Sequence, residues 1–319
     1  SPAFKNVVVN GIILAEDGSK MSKRLKNYPE PKEVIERYGA DAIRLYLLHS
    51  PAVVGEDLRF SARGVEILMR QVLIPFWNSY LFLATYANIY QWMPSEGRVT
   101  PEAEMDQWIL SLLQKLIEKV SFSLDQFQLQ EAVAPFAQFI DSLTNWYIRR
   151  SRARFWQDEA TEDRKQAFST LYFVLMKLCK VAAPFIPFLT ESIYQELRQK
   201  KDPESVHLCA YPTYCAELRQ EVLEKEMQDV QLAVSVGHAL RKEYKLKVRQ
   251  PLKEAHIICA DLTRLKALEK KESLIAEELN VKKVHFETKE EHYLFLSAKP
   301  NFRVLGKKVG NKMQKVQAT

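Results

Sequence analysis

Two lysines three positions apart, with a small hydroxyl between them, stand near the start of the chain in Lys20-Met21-Ser22-Lys23-Arg24. An acidic turn containing glycine, Glu16-Asp17-Gly18-Ser19, precedes them. Ammonium groups carried on such a turn can clamp a polyphosphate as point charges. The spacing by itself is common and reads equally as solvated lysine. Further basic clusters lie downstream. Residues 149–154 hold four arginines in six positions, and residues 241–253 hold six basic residues against one acid, Glu243. Residues 299–315 hold six more with no acid. One such run is ordinarily a solvated face; three in the last two-thirds of one chain point to a nucleic-acid surface. The net charge of +6, from 46 basic and 40 acidic residues, permits a polyanionic partner without demanding one.

The elements that must position these groups are mostly helical. Glycine is scarce, nine in 319 residues, and an apolar fraction of 47% is that of a globular chain. Near the front, Val7-Val8-Val9 and Ile12-Ile13-Leu14 flank Asn10-Gly11, a pattern that predicts a tight hairpin. Short helices are expected over 31–39 and 41–49, with Pro51 closing the second. From 61 to 200 the apolar period is 3.6. It predicts five long helices, at 62–93 with a kink near Pro75, 102–124, 128–156, 162–182 and 185–200. Trp108, Ile109, Leu112, Leu113, Leu116, Ile117 and Val120 mark the stripe of the second, with Thr100-Pro101-Glu102 as its cap and first turn. Five amphipathic helices on short loops bury their stripes against one another as a bundle. Beyond a linker at Asp202-Pro203-Glu204-Ser205, a helix over 217–243, strands at 255–259, 282–287 and 293–298, and one or two helices over 262–279 describe a small α+β unit. The fold class is therefore mainly α, with a hairpin and loop segment at 1–60, a helical bundle at 61–215 and a small α+β domain at 216–319.

Taken together, Val9-Asn10-Gly11, Asp17-Gly18-Ser19-Lys20-Met21-Ser22-Lys23 and Asn27-Tyr28-Pro29 resemble the KMSKS signature region of class I aminoacyl-tRNA synthetases. Tyr38-Gly39-Ala40-Asp41-Ala42-Ile43-Arg44 is similar to the segment that follows it in the isoleucine, valine and leucine members. Lys23-Arg24-Leu25-Lys26-Asn27-Tyr28-Pro29 most resembles the isoleucine type, in its eukaryotic-like form. Leu143-Thr144-Asn145-Trp146-Tyr147-Ile148-Arg149-Arg150, Ala183-Pro184-Phe185-Ile186-Pro187-Phe188, Val248-Arg249-Gln250-Pro251-Leu252 and Ala276-Glu277-Glu278-Leu279-Asn280-Val281 agree with it.

The resemblance implies ATP-dependent activation of isoleucine as an adenylate and its transfer to tRNA(Ile), with Mg2+ accompanying the ATP. It implies that Lys20 and Lys23 are catalytic, stabilising charge on the α-phosphorus and the departing pyrophosphate. Lys20, Met21, Ser22, Lys23 and Arg24 then bind ATP, Arg24 standing where the family's motif ends in serine. It also implies that the bundle reads the anticodon, whose splayed bases are held by stacking and by bonds to their edges. At 100° per residue the arginines of 149–154 spread too widely to face one ligand. Arg149 and Arg152 share a ridge with Asn145 and Trp156, and these four are the expected tRNA contacts; for Arg150 and Arg154, an i, i+4 pair, holding acids of a neighbouring helix is an equal reading. The basic stretches at 241–253 and 299–315 are expected to add salt-sensitive backbone contact, with the α+β unit on the anticodon arm.

No His-Ile-Gly-His-like signature is present, and neither the first strands of the nucleotide-binding fold nor an editing domain can be placed. The expected reading is a carboxy-terminal portion, inactive in adenylation alone and partnered by the rest of its chain, as a monomer. A valine or leucine member, or a non-catalytic tRNA-binding module, are the competing readings. Trp77, Trp92, Trp108, Trp146 and Tyr147 are expected in the core. Four cysteines without ligand spacing read as buried thiols of a reducing, cytoplasmic compartment. No metal site is expected, since the six histidines are scattered. No apolar run reaches the length needed to span a bilayer, and Ser1-Pro2-Ala3-Phe4 has no leader-like character, so membrane and secreted readings are set aside.

Overall fold

A computed structural model describes residues 2–94, 101–157 and 161–289. The chain divides into two compact units, Ser1–Glu224 and Lys225–Thr319. The predicted strand at 293–298 and basic stretch at 299–315 lie outside the described residues, as does Thr100.

The first unit opens with strand β1 (Ile13–Leu14), which pairs in parallel with β2 (Leu58–Arg59). The hairpin expected around Asn10-Gly11 does not form. Neither residue takes the positive φ that such a turn requires. Gly11 serves a close approach instead: its N–H donates to the Ala52 carbonyl at 2.7 Å, and a Cβ there would sit 1.8 Å from the Glu56 carbonyl oxygen. The reversal comes one turn later, where the Gly18 N–H donates to Ala15 O and the Ala15 N–H to Ser19 O, both at 2.9 Å. Gly18, at φ 84°, supplies the left-handed residue.

Helices α1 (Pro31–Tyr38) and α2 (Ala40–Leu48) follow, the first led by Pro31 and the two separated by Gly39 at φ 83°. α2 is fastened to the bundle by two polar groups. The buried Asp41 carboxylate accepts from the Phe188 and Leu189 N–H groups at 3.3 and 2.6 Å, capping a helix from outside it. Arg44 donates to the Pro184 and Phe185 carbonyls at 3.0 and 3.4 Å.

The bundle consists of α3 (Ala62–Ile89), α4 (Glu104–Asp125), α5 (129–155), α6 (Glu162–Ala182) and α7 (Pro187–Leu197). The kink expected near Pro75 is a π turn, Met69–Leu73, just ahead of that proline. A helix losing the Pro75 N–H and pushed by its ring relieves the clash with one wider turn. α5 carries a second π turn, Ser142–Ile148, which the 3.6 period does not reveal. α4 is the core: Trp108, Ile109, Leu110, Leu113, Leu116, Ile117 and Val120 are buried, each contributing about 1.5–3 kcal/mol. Leu112 of the expected stripe is half-buried, whereas Leu110, Ser111 and Gln114 are buried on its flank, because α4 has neighbours on more than one side.

By length and composition α3 is apolar enough to cross a membrane, against expectation, because a 28-residue helix carries few charges. Its Val65, Leu68, Val72, Phe76 and Leu83 are buried in the bundle.

The second unit holds most of α8 (Glu221–Glu243), then β3 (Ala255–Ile258), α9 (Leu262–Glu269), α10 (Glu272–Leu279) and β4 (Val284–Glu287). β3 and β4 are parallel, joined by the helical crossover such pairing needs.

Candidate functional site

The loop 20–24 is held by its own neighbours. Asp17 Oδ1 accepts from the Ser19 N–H at 2.9 Å and its hydroxyl at 2.7 Å, and these bonds hold the carboxyl below its ordinary value of 3.8. Asn27 is the buckle: its Oδ1 accepts from the Ser22 N–H at 2.9 Å. Its Nδ2 donates to Ser19 Oγ at 2.9 Å and to the Lys20 carbonyl at 3.1 Å. The Ser22 carbonyl accepts from the Leu25 and Lys26 N–H groups at 3.1 and 3.0 Å, with Lys26 in the left-handed region at φ 48°. Lys20, Lys23 and Arg24 are exposed and, among the described residues, make no ion pair or side-chain hydrogen bond. Met21 and Ser22 are half-buried. Three cations within five residues, none in an ion pair among the described residues, present positive charge to solvent, where an anion can meet it.

The second arrangement lies on α5. Asn145, Arg149, Arg152 and Trp156 are all exposed, Trp156 at 48%. Asn145 Nδ2 donates to Asp141 Oδ1 at 2.6 Å, and Arg149 Nε donates to the Asn145 carbonyl at 2.7 Å. The Arg149 guanidinium lies 5.8 Å from the Trp146 ring centroid, and the Trp156 ring lies 6.2 Å from that of Tyr86. An exposed indole and exposed guanidinium groups on one helix are groups on which bases can stack, although the π turn at Ser142–Ile148 shifts the register between Asn145 and the rest.

The buried face of the same helix is held by a polar network. Asp106 is fully buried and accepts from Tyr147 Oη at 2.8 Å and from Arg154 Nη1 and Nη2 at 2.9 and 2.8 Å. Arg154 also donates to Asp163 at 2.9 Å. Burial acts to strip the Arg154 proton, but the hydrogen bonds to Asp106 and Asp163 outweigh it and the guanidinium holds its proton more firmly than a free one. Burial, and then the Asp106 charge, push the Tyr147 phenol upward. Of the two readings open for Arg154, the structure has it holding acids, Asp106 of α4 and Asp163 of α6. Tyr147 and Trp108 are core residues. Trp77, Trp92 and Trp146 are only half-buried, Trp92 lying beyond the end of α3, where it stacks on Phe168 at 5.3 Å.

In the second unit, Arg241 is not available for a phosphate. It is 4% exposed and donates to the carbonyls of Lys247, Gln250, Leu279 and Asn280 at 2.7–3.2 Å, satisfying the end of α10. Of the cysteines only Cys179 is buried; Cys209, Cys215 and Cys259 are half-buried, and no disulfide links any of them. The histidines are not all scattered, since His256 and His285 stack with centroids 4.7 Å apart. Sequence spacing hides that pair, because only the β3–β4 register brings it together. Asn27 and Asp106 were likewise missed as positioning residues. Asn27 carried a signal, an amide four residues past Lys23; Asp106, in the first turn of α4, reads as a solvated helix-start acid.

Comparison with known families places residues 1–61 in the class I tRNA synthetases (I, L, M and V) and residues 106–257 in the anticodon-binding domain of tRNA ligases. Isoleucine–tRNA ligases resemble the chain over its length. That of Protochlamydia amoebophila is 58% identical over all of this chain and 31% of its own length. Those of Chlamydia muridarum and Treponema denticola are 55% and 48% identical over 99% of this chain and 30% of theirs. The chain thus spans about a third of the relatives it matches. A solved LeuRS chain, from a ternary complex with tRNA and LeuAMS of Agrobacterium radiobacter K84, shares the fold over 66% of this chain and 24% of its own, with TM-score 0.52 and 21% identity. With a KMSKS-type loop at 20–24 followed by a helical anticodon-binding bundle, the chain belongs to the class I tRNA synthetases, with its relatives in the isoleucine branch.

Proposed function

We propose that this chain supplies the ATP-phosphate loop and the tRNA-holding bundle of an isoleucine–tRNA ligase. In the first step an oxygen of the isoleucine carboxylate bonds to the α-phosphorus of ATP, and the bond to pyrophosphate breaks. In the second, a ribose hydroxyl at the end of tRNA(Ile) attacks the activated carbonyl, and AMP leaves. Negative charge grows on the α-phosphate and the departing oxygen, and Lys20 and Lys23 meet it there. Met21, Ser22 and Arg24 complete the phosphate contact, the Ser22 hydroxyl as donor, with Mg2+ carried in by the nucleotide. The observation that carries this reading is the pair of exposed ammonium groups, in no ion pair among the described residues, on a turn whose backbone Asn27 holds, since a loop already formed costs little reorganisation in the transition state.

Asn145, Arg149, Arg152 and Trp156 hold the anticodon arm. The remainder of the synthetase supplies the amino-acid pocket and the other half of the nucleotide site. The assembled enzyme works as a cytoplasmic monomer.

The full-length synthetase with Lys20→Ala and Lys23→Ala tests the loop. Charging of tRNA(Ile) is expected to fall by about 10²–10³-fold in kcat for each ammonium group removed from the transition state; an unchanged rate refutes the assignment. For the bundle, the 319-residue chain is titrated with tRNA(Ile) and with tRNA(Val). Arg149→Ala and Arg152→Ala are expected to weaken binding, and to lower the salt slope by about 0.7 for each phosphate no longer neutralised. Equal binding of both tRNAs, with no effect of either arginine, turns the reading toward a general RNA module.

A further inference from the structure

The second unit gathers four side chains that serve neither the loop nor the ridge. In the parallel pairing of β3 with β4, His256 stands opposite His285. Side chains alternate between the faces of a strand. Glu254, two residues before His256, and Glu287, two residues after His285, therefore project to the same side as the histidines. The imidazole rings stack at 4.7 Å and 19°. Glu287 Oε1 is 2.8 Å from His256 Nδ1. The Glu254 carboxylate faces the other nitrogen of both rings, 4.0 Å from His256 Nε2 and 3.6 Å from His285 Nε2.

Those last two separations are too long for hydrogen bonds. They are close to what an ion between the atoms requires. Nitrogen and oxygen ligands about 2.0–2.2 Å from one tetrahedral zinc-class ion stand about 3.4 Å apart. The ligand atoms of Glu254, His256 and His285 all lie within 4.8 Å of one another, so side-chain rotations that splay the stacked rings close the set. Glu287 has the partner role that metal-bound histidines use. By accepting from Nδ1–H it fixes the tautomer that leaves the His256 Nε2 lone pair for a metal.

We propose that Glu254, His256 and His285 form a three-ligand site for a divalent transition-metal ion of the zinc class, with Glu287 as a positioning residue and water in the fourth place. Two imidazoles and a carboxylate favour zinc, copper or nickel over magnesium or calcium, which seek oxygen. The histidine side chains are 31% exposed, so an ion reaches them from solvent. Bound there, it ties β3 to β4 across the sheet.

The test titrates Zn2+ into the metal-stripped 319-residue chain by calorimetry and records the visible spectrum with Co2+. One ion per chain is expected, with a tetrahedral cobalt spectrum lacking thiolate charge transfer. His256→Ala and His285→Ala are expected to weaken binding at least about tenfold, and Glu287→Gln by about 10–100-fold through the tautomer alone. Should an alanine variant fail to fold, Glu254→Gln, which preserves size, carries the same expectation for ligand loss. No uptake of Zn2+ in excess overturns the proposal. So does uptake that persists unchanged in Glu254→Gln and His285→Ala, or a thiolate band indicating that cysteines hold the metal.

Discussion

Replacing Asp106 with alanine removes, in one step, the acceptor of three hydrogen bonds: from Tyr147 Oη and from both terminal nitrogens of Arg154. Asp106 is wholly buried, and the Arg154 side chain is 16% exposed. Deleting one partner of a buried pair leaves the other charge desolvated and costs about 3–5 kcal/mol. Arg154 keeps Asp163, whose side chain is 45% exposed, and this moderates the loss. The orphaned Tyr147 hydroxyl adds to it, at about 1–3 kcal/mol for an unsatisfied buried group. A net cost of about 3–5 kcal/mol is a large share of a typical total of about 5–15 kcal/mol. The assay is urea unfolding followed by tryptophan emission. Trp77, Trp92, Trp108, Trp146 and Trp156 all precede residue 225, so emission reports the first unit alone. A companion variant, Asp106→Leu with Tyr147→Phe and Arg154→Met, replaces the whole network with apolar groups and is expected within about 2 kcal/mol of the parent. If Asp106→Ala leaves the midpoint unmoved, or the triple variant is as unstable as the single one, Asp106 is not what orients α5.

Asn27→Ala removes the three hydrogen bonds that buckle the loop and is expected to leave the urea midpoint nearly unchanged, because the loop is exposed. In the full-length synthetase it should raise KM for ATP and lower kcat; wild-type values for both would dismiss the buckle. Asp41 titrates with the opposite sign to a salt-bridged acid. Burial raises its carboxyl above the ordinary 3.8, although the Leu189 and Phe188 N–H groups pull the other way. The stability it lends, relative to Asp41→Asn, is therefore complete below 3.8 and lost as pH rises through the raised value; a difference flat across that window contradicts this. Gly11→Ala places a methyl against the Glu56 backbone at 1.8 Å. It is expected to break the short β1–β2 pairing, read as faster hydrogen exchange at the Leu58 and Phe60 N–H groups, which donate to Ile12 and Leu14.

The apolar period alone marked the bundle, and α6 ends at the residues it marked, Glu162–Ala182. It did so because a buried stripe recurs at the turn of the helix that buries it. The exposure of the loop lysines and of Asn145, Arg149, Arg152 and Trp156 was legible for a similar reason, since residues off the apolar stripe face solvent. What the sequence left open is set by contacts between residues distant along the chain. Asn-Gly reads as a hairpin turn, yet Gly11 is required by the Glu56 backbone 45 residues away. The π turn of α5, Ser142–Ile148, is not marked by the 3.6 period. Neither Asp106 nor the pairing of His256 with His285 leaves a trace in spacing. A first-turn acid becomes a buried anchor, and two histidines become neighbours, only when helix packing and strand register bring the partners together. Charge and period are properties of neighbours in the chain, and they were readable; desolvation and juxtaposition are properties of neighbours in space, and only the tertiary structure decided them.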